Sequence, residues 1–300
     1  MSARTRYDYL ASDRSQFLEE ARQAAELTLP YLIRGNEEYT TGMKNLKTPY
    51  QSVGAKGVVT LASKLMLALL PVQTSFFKLQ LDESQLGEEF PPEMKSELDL
   101  SFAKVERIIL ESISASDDRV AVHQALLHLV VSGNALVFMS KHGLKIYPLN
   151  RYVVERDGNG QVIEIVTKES ISKQLIENQL PKELLNSVND DGSKTDEVDV
   201  YTHIKRDNNR FIWHQEVGDK VLKDSQGKAP IDVNPWIPLR FNTVDGEGYG
   251  RGRVGQFIGD LKSLEGLSQA LVEGSAAAAK VVFTVSPSST TKPSTLAQAG

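Results

Sequence analysis

The spacing of apolar residues changes at Gly133, and this change constrains the fold more than any other feature of the sequence. Before Gly133, apolar residues recur at intervals of three and four, as they do on one face of a helix. The clearest stripe has five members: Leu98, Phe102, Val105, Ile109 and Ile113. After Gly133, short apolar runs alternate with turn residues, as in antiparallel hairpins. Helices followed by hairpins predict an α+β fold.

Four helices are predicted before the change. The first begins at Ser12 or Asp13, which are good N-caps, and ends near Pro30. After a loop from Gly35 to Gly57, Val58–Leu70 is predicted as a buried core helix. The stretch from residue 58 to 72 contains a lysine and falls short of the ~20 residues that cross a bilayer.

The other two helices carry clear boundary signals. Pro91 and Pro92 open the striped helix. The next helix, Val120–Ser132, is apolar on several sides. Asp117 or Asp118 is its predicted N-cap, and Gly133 suits its C-terminal cap.

Three hairpins and one more strand are predicted after Gly133. The paired segments, in chain order, are Ala135–Lys141 with Leu144–Leu149, Tyr152–Arg156 with Gln161–Thr167, and Tyr201–Lys205 with Arg210–Gln215. The turn Asp-Gly-Asn-Gly at 157–160 is the strongest hairpin signal. A short helix at Ile171–Val188 and an exposed loop at Asn189–Glu197 are predicted between the second and third hairpins. Trp236–Thr243 is the additional strand.

A glycine-dense segment, DGEGYGRGRVG, follows that strand and contains the pattern G-x-G-x-x-G at 250–255. This pattern raises the alternative of a dinucleotide-binding enzyme. The acidic residue that such a site requires is missing, because the predicted strand Val281–Val285 runs into Ser286. The glycines instead suit a close approach of two backbones. Arg251 and Arg253 are candidates for phosphate contact or for pairing with nearby carboxylates.

Composition argues against catalysis and against tight DNA binding. The net charge is −5, and there is no cysteine, so a thiolate metal site is excluded and a reducing cytoplasm fits. His123 and His128 lie five residues apart on different helix faces, which does not suit a metal site. A P-loop and a G-x-S-x-G motif are both missing. We therefore predict no catalytic residue, no metal and no cofactor.

The helix predicted at Gln256–Lys280 would be roughly 37 Å long. Large apolar residues lead and small residues follow, so its end allows close helix contact. Asp260 and Lys280 suit the helix dipole. A plain core helix is the alternative.

Three stretches resemble the head-to-tail connector, or portal, proteins of podoviruses. They are GNALVFM at 133–139, YPLNRYVVERDGNGQVIEI at 147–165, and GYGRGRVGQFIGDLKSLEGLSQALVEGSAAAAK at 248–280. The resemblance implies a dodecameric ring at one capsid vertex of the virion, assembled in the host cytoplasm. Its expected partners are capsid and scaffolding proteins, terminase, tail proteins and DNA passing without sequence specificity. Another ring-forming scaffold protein is the remaining alternative.

The resemblance also implies a division of the chain. Residues 1–245 are expected to form the wing, 246–280 the glycine-rich entry and first stem helix, and 281–300 the start of the clip. The rest of the clip, a second stem helix and a crown are expected beyond this sequence. Expected subunit-contact residues are Leu261, Leu264, Leu267, Leu271, Ala276 and Ala279. Candidates for DNA contact are Arg251, Arg253 and Lys262.

Overall fold

A computed structural model describes residues 2–34, 46–71, 74–80, 92–172 and 197–280. Helix α1 spans Ala3–Glu26, so the predicted start at Ser12 or Asp13 was wrong. Ser2 is the N-cap, and its hydroxyl accepts a hydrogen bond from the Thr5 amide. The Ser12 hydroxyl instead donates to the Tyr9 carbonyl at 2.7 Å. A serine whose hydroxyl bonds back to the preceding turn can lie inside a helix. The presence of Ser12 therefore did not mark a helix start.

Helix α2 spans Val53–Leu69 and buries only one face. Gly54, Val58, Ala62 and Met66 form that face at intervals of four residues. Leu67 and Leu69 are exposed. The prediction of a helix here is confirmed, but it begins five residues earlier and is not buried all round. Gly54 and Gly57, predicted in a loop, lie inside it.

Helix α3 opens at Pro92 as predicted, and α4 has Asp117 and Gly133 at its predicted cap positions, although the Asp117 side chain makes no capping hydrogen bond. Helix α3 spans Pro92–Ala115 and α4 spans Asp118–Ser132. Asp117 precedes α4, and Gly133 follows it in the left-handed conformation with φ of 77°. Within the predicted α3 stripe, Val105 and Ile109 are exposed. The apolar pattern therefore formed a helix without burying the whole stripe.

Within the described ranges, nine strands build two antiparallel sheets. In chain order they are β1 (Asn134–Ser140), β2 (Gly143–Tyr147), β3 (Tyr152–Arg156), β4 (Val162–Ser172), β5 (Glu197–Asp207), β6 (Arg210–Val217), β7 (Lys220–Val221), β8 (Gly227–Pro230) and β9 (Trp236–Arg240). The small sheet has the order β2-β1-β9. The large sheet has the order β3-β4-β5-β6-β7, and β8 also pairs with β6. These helices and sheets confirm the α+β class.

The three predicted hairpins are confirmed as β1–β2, β3–β4 and β5–β6. One helix prediction is wrong at its start, because Ile171 and Ser172 continue β4 and pair with β5. The rest of that predicted helix and most of the predicted loop lie outside the described residues. The last strand ends at Arg240, three residues before its predicted end.

Helix α1 connects the two halves of the core. Its beginning packs on the large sheet, where Ala3, Tyr7 and Leu10 meet Val153 and Val166. Its later residues join α2, α4 and the small sheet in the main apolar cluster. Arg14 lies between these regions and is buried. Its Nη1 atom donates to the carbonyls of Leu149 and Tyr152 at 3.0 and 2.8 Å, so the guanidinium fastens α1 to the loop before β3.

The last described element confirms the predicted long helix. A short 3₁₀ turn at Val254–Phe257 leads into α5, which spans Ile258–Ala278. The strand predicted at Val281–Val285 lies outside the described residues. None of the described helices has the length and apolar character needed to cross a membrane.

Candidate functional site

Three glycines bring two distant backbone stretches into contact. A Cβ atom added at Gly252 would lie 2.2 Å from the Val131 carbonyl oxygen. One added at Gly250 would lie 2.7 Å from the Gly133 carbonyl oxygen, and one at Gly133 would lie 2.3 Å from the Arg251 carbonyl carbon. Each neighbour is backbone and cannot rotate aside. The end of α4 and the glycine-dense segment therefore pack backbone against backbone.

The side chain of Asn134 holds this contact with two hydrogen bonds to Gly250, called here the Asn134–Gly250 lock. Its side-chain Nδ2 donates to the Gly250 carbonyl, and its Oδ1 accepts from the Gly250 amide, both at 2.7 Å. The Phe241 amide also donates to the Gly133 carbonyl at 2.9 Å. Asn134 is the residue that sequence reasoning missed. The pattern carries no signal for it, because its partner lies 116 residues away.

Tyr249 ties the same segment to the large sheet. Its hydroxyl oxygen accepts from the Val154 amide at 3.0 Å, and its ring packs against Phe17 of α1. Burial raises the pKa of Tyr249 to about 12, so the phenol stays neutral. Arg156 donates from Nε to the Gly248 carbonyl at 3.0 Å. The glycine-dense segment is thus held by α1, β1 and β3 before α5 begins.

This geometry gives the G-x-G-x-x-G pattern a packing role. In a dinucleotide site, a parallel strand precedes the loop and its amides point at phosphate. Here the preceding strand, β9, pairs antiparallel with β1. The Gly250 amide is already bonded to Asn134. The structure therefore does not support the nucleotide-binding alternative for these glycines.

The three candidate DNA-contact cations have different surroundings. Arg251 donates from Nε and Nη2 to the Glu247 carboxylate at 3.0 and 2.6 Å, which realises the carboxylate pairing expected as its alternative. Arg253 instead bonds the neutral amide oxygen of Gln256. Lys262 bonds the amide oxygen of Gln23 at 3.0 Å. Gln256 and Gln23 are neutral, so these two contacts do not compensate the positive charges of Arg253 and Lys262.

The first half of α5 rests on its own chain. Leu261 and Leu264 are half-buried beside α2. The Glu265 carboxylate accepts from the backbone amides of Tyr50 and Gln51 at 3.0 and 3.3 Å. These contacts hold the helix against the stretch of chain that leads into α2.

The second half of α5 extends away from the described body. Leu267 and Leu271 are 71% and 72% exposed, and Ala276 and Ala279 are exposed too. No residue of α5 is buried among the described residues. A plain core helix does not fit this exposure. Three of the expected contact residues, Leu264, Leu267 and Leu271, share one side of the helix at intervals of three and four.

Several polar residues of α5 occupy a different side. At about 100° per residue, Lys262, Gln269 and Glu273 fall together. The Gln269 amide donates to the Glu273 carboxylate at 2.8 Å. One long helix therefore presents an apolar side and a polar side beyond the body.

Comparison with known proteins shows the family of this chain. The family model of the bacteriophage head to tail connecting protein matches residues 1–299. The portal protein of Enterobacteria phage T3 is 37% identical over 308 residues, covering 99% of this chain and 56% of the relative. That of Escherichia phage T7 is 35% identical over 309 residues with the same two coverages. That of Enterobacteria phage SP6 is 29% identical over 292 residues, covering 95% and 55%.

The chain thus spans about half the length of the relatives it matches. The resemblance to head-to-tail connectors predicted from residues 133–139, 147–165 and 248–280 is confirmed. By the family match over nearly its whole length, the chain belongs to the bacteriophage head-to-tail connecting proteins.

Proposed function

We propose that this chain is part of a portal subunit, and that copies of it form a ring at one capsid vertex through which double-stranded DNA enters and leaves. The observation that carries this proposal is the family match over residues 1–299. The half of α5 that makes no core contact supports it, because an exposed apolar helix marks an interaction surface. The action is mechanical, and we propose no enzymatic step.

The division of the chain follows the same proposal. Residues 1–245 form the wing, 246–280 the entry and first stem helix, and 281–300 the start of the clip. The Asn134–Gly250 lock supports a boundary near residue 245, since it anchors the segment from which α5 departs. A rigid anchor would fix the direction of the stem helix relative to the wing.

Subunits contact each other through α5. Burial of Leu267 and Leu271 stabilises this contact most, because both are exposed in the single chain. Fully burying a leucine stabilises by roughly 1.5–3 kcal/mol. Leu261 and Leu264 contribute less, since their own chain already covers part of them. Ala276 and Ala279 allow a close approach at the end of the helix.

Partners of the ring are the major capsid and scaffolding proteins, terminase during packaging, and tail proteins. DNA passes without sequence recognition. The net charge of −5 supports loose contact, because tight binding needs many uncompensated lysines and arginines. Arg253 and Lys262 are the better candidates for DNA contact, and Arg251 is the weaker one because Glu247 pairs with it. We propose the portal vertex of the virion as the location.

Negative-stain microscopy of the complete purified protein tests this proposal. We expect closed rings with a central hole. Monomers or open filaments at micromolar concentration would contradict it, as would rings that fail to associate with a procapsid of the same phage.

A further inference from the structure

Three helices are joined by hydrogen bonds at Gln51, a residue that is 7% exposed. Its side-chain Nε2 donates to the carbonyl of Leu27, just after α1, at 2.7 Å. Its Oε1 accepts from the Gly54 amide in the first turn of α2 at 2.9 Å. Its backbone amide donates to the Glu265 carboxylate of α5 at 3.3 Å. Gln51 therefore connects α1, α2 and α5.

The side of this junction that belongs to the body is closely packed. A Cβ atom added at Gly54 would lie 2.7 Å from the Leu27 carbonyl oxygen and 3.4 Å from the Cδ2 atom of Leu261. Ser52, the N-cap of α2, makes no side-chain cap hydrogen bond. The Gln51 side chain satisfies a first-turn amide in its place. The start of α2 is thereby fixed to the end of α1.

Helix α5 is joined to this junction by few contacts. The half-buried Glu265 carboxylate accepts from the Tyr50 amide at 3.0 Å and from the Gln51 amide at 3.3 Å, with one oxygen for each. Lys262 donates to the Gln23 side chain at 3.0 Å in an exposed position. No residue of α5 is buried among the described residues. The direction of α5 therefore depends on these polar contacts and on a shallow apolar one.

We infer that Glu265 positions α5: its carboxylate sets the inclination of the helix to the body, and thereby the angle at which neighbouring copies meet. This inference rests on the proposed ring. A carboxylate suits this role, because its two oxygens can accept from two successive amides. Two such bonds restrict rotation of the helix more than one bond does. Hydrogen bonds to a charged group are also stronger than neutral ones.

Ring closure makes this inclination important. Head-to-tail contacts give a closed ring only if the rotation from one copy to the next closes, and otherwise they give open assemblies. Leu267 and Leu271, which are exposed, lie beyond Glu265. At ~1.5 Å per residue, α5 continues for about 20 Å past Glu265. A small tilt at Glu265 is therefore enlarged at the far end of the helix.

Glu273 provides a matched control on the same helix. Its carboxylate accepts from the Gln269 side chain at 2.8 Å, so this contact stays within α5. Removing the Glu273 carboxylate therefore changes the charge of α5 by the same amount as removing that of Glu265. It leaves the junction at Gln51 intact.

Distances between spin labels in the complete protein test the inference. Residues 1–300 contain no cysteine, and any cysteine elsewhere in the complete protein is first replaced by serine. Gln16→Cys on α1 and Ala276→Cys on α5 provide two exposed labelling positions. Assembly with excess unlabelled protein leaves each labelled copy among unlabelled neighbours, so the distance is measured within one chain.

Glu265→Ala should broaden the distribution of this distance, whereas Glu273→Ala should leave it unchanged. Glu265→Gln keeps the shape of the side chain and one acceptor, so its distribution should be intermediate. Electron microscopy should show open arcs among the rings of Glu265→Ala and closed rings for Glu273→Ala. If Glu265→Ala does not fold, Glu265→Gln gives the test, with a broader distribution than the parent as the expected result.

Three results would overturn the inference. They are an unchanged distribution in the Glu265 variants, equal broadening in Glu273→Ala, and a broadened distribution with rings that all close normally. Each of them leaves the ring proposal standing. Absence of rings in the parent protein would contradict the proposed function itself.

Discussion

The side chain of Asn134 makes two 2.7 Å hydrogen bonds to the backbone of Gly250, one as donor and one as acceptor. This amide replaces a piece of strand pairing at the point where the chain leaves the sheets for α5. Both bonds are buried, so water cannot take over either of them.

Replacing Asn134 with Ala should therefore destabilise the fold by about 3 kcal/mol, because a buried amide and a buried carbonyl each lose their partner. Urea unfolding followed by circular dichroism measures this change. Asn159→Ala, in an exposed turn, is the matched control and should change little. Equal effects at the two positions would show that the lock contributes nothing particular.

Gly252→Ala should be costly for a steric reason. The new methyl group would lie 2.2 Å from the Val131 carbonyl oxygen, and backbone on both sides must shift. We expect a loss near the upper end of the ~1–3 kcal/mol typical of overpacking. Gly255→Ala is the control, since nothing lies within 4 Å of its added Cβ. Thermal unfolding of both variants checks the difference; a Gly252→Ala protein as stable as the control would be incompatible with the backbone contact.

Stability should fall between pH 6.5 and pH 4 because of His128. Burial lowers the pKa of His128 from 6.5 to about 4. The unfolded chain therefore takes up a proton in this window while the folded chain does not, so the folded state loses about 3 kcal/mol on acidification. Below pH 4 both states are protonated and this loss stops growing. Urea midpoints at pH 7, 5.5 and 4 measure the slope.

His128→Leu should flatten that slope, whereas His142→Leu, at an exposed turn, should retain it. An unchanged slope in His128→Leu would disprove the assignment to this histidine.

Glu164 affects the stability of the fold at lower pH. Burial opposes its ionisation, but hydrogen bonds from His203 and Arg6 outweigh burial and lower the pKa of Glu164 to about 2. Its contribution is present above pH 4.5 and is lost as the pH falls toward 2.

Leu271→Asp should prevent ring formation without unfolding the chain. Residue 271 is 72% exposed in the single chain, so a carboxylate there is solvated until subunits meet. At a closed contact it would be buried without a partner, which opposes assembly. Light scattering and microscopy should show soluble subunits with near-native circular dichroism.

Val233→Asp is the control for this assembly test, because Val233 is also largely exposed, at 63%, but lies outside α5. It should leave rings intact. Normal rings from Leu271→Asp would show that this side of α5 faces solvent, and outright unfolding would show a core role.

Duplex DNA should bind the ring weakly and with a shallow salt dependence. Each neutralised phosphate adds about 0.9 to the slope of log affinity against log salt. We expect a slope equivalent to a few contacts. Arg253→Gln and Lys262→Gln should each lower the slope, whereas Arg251→Gln should not, because Glu247 already pairs with that arginine. Discrimination between unrelated DNA sequences would contradict the conduit role.

Local chemistry alone was sufficient to predict the helices and hairpins with strong boundary signals. Gly133 and the 157–160 turn act on their immediate neighbours, so their effects can be read from short stretches of sequence. The start of α1 was missed because Ser12 can cap a helix or sit inside one. The apolar side of the first turns of α1, which includes Ala3 and Tyr7, is buried against strands more than a hundred residues away.

The sequence by itself determined the helices before Gly133, the three hairpins after it and the presence of a long helix at α5, since these follow from periodicity and turn signals. Only the tertiary structure decided that Asn134 holds Gly250, that Arg251 pairs with Glu247, and that Leu267 and Leu271 stay exposed. An apolar stripe has the same pattern whether a core or a partner covers it. The surface left uncovered depends on which elements the complete fold brings together, and that is a property of long-range packing.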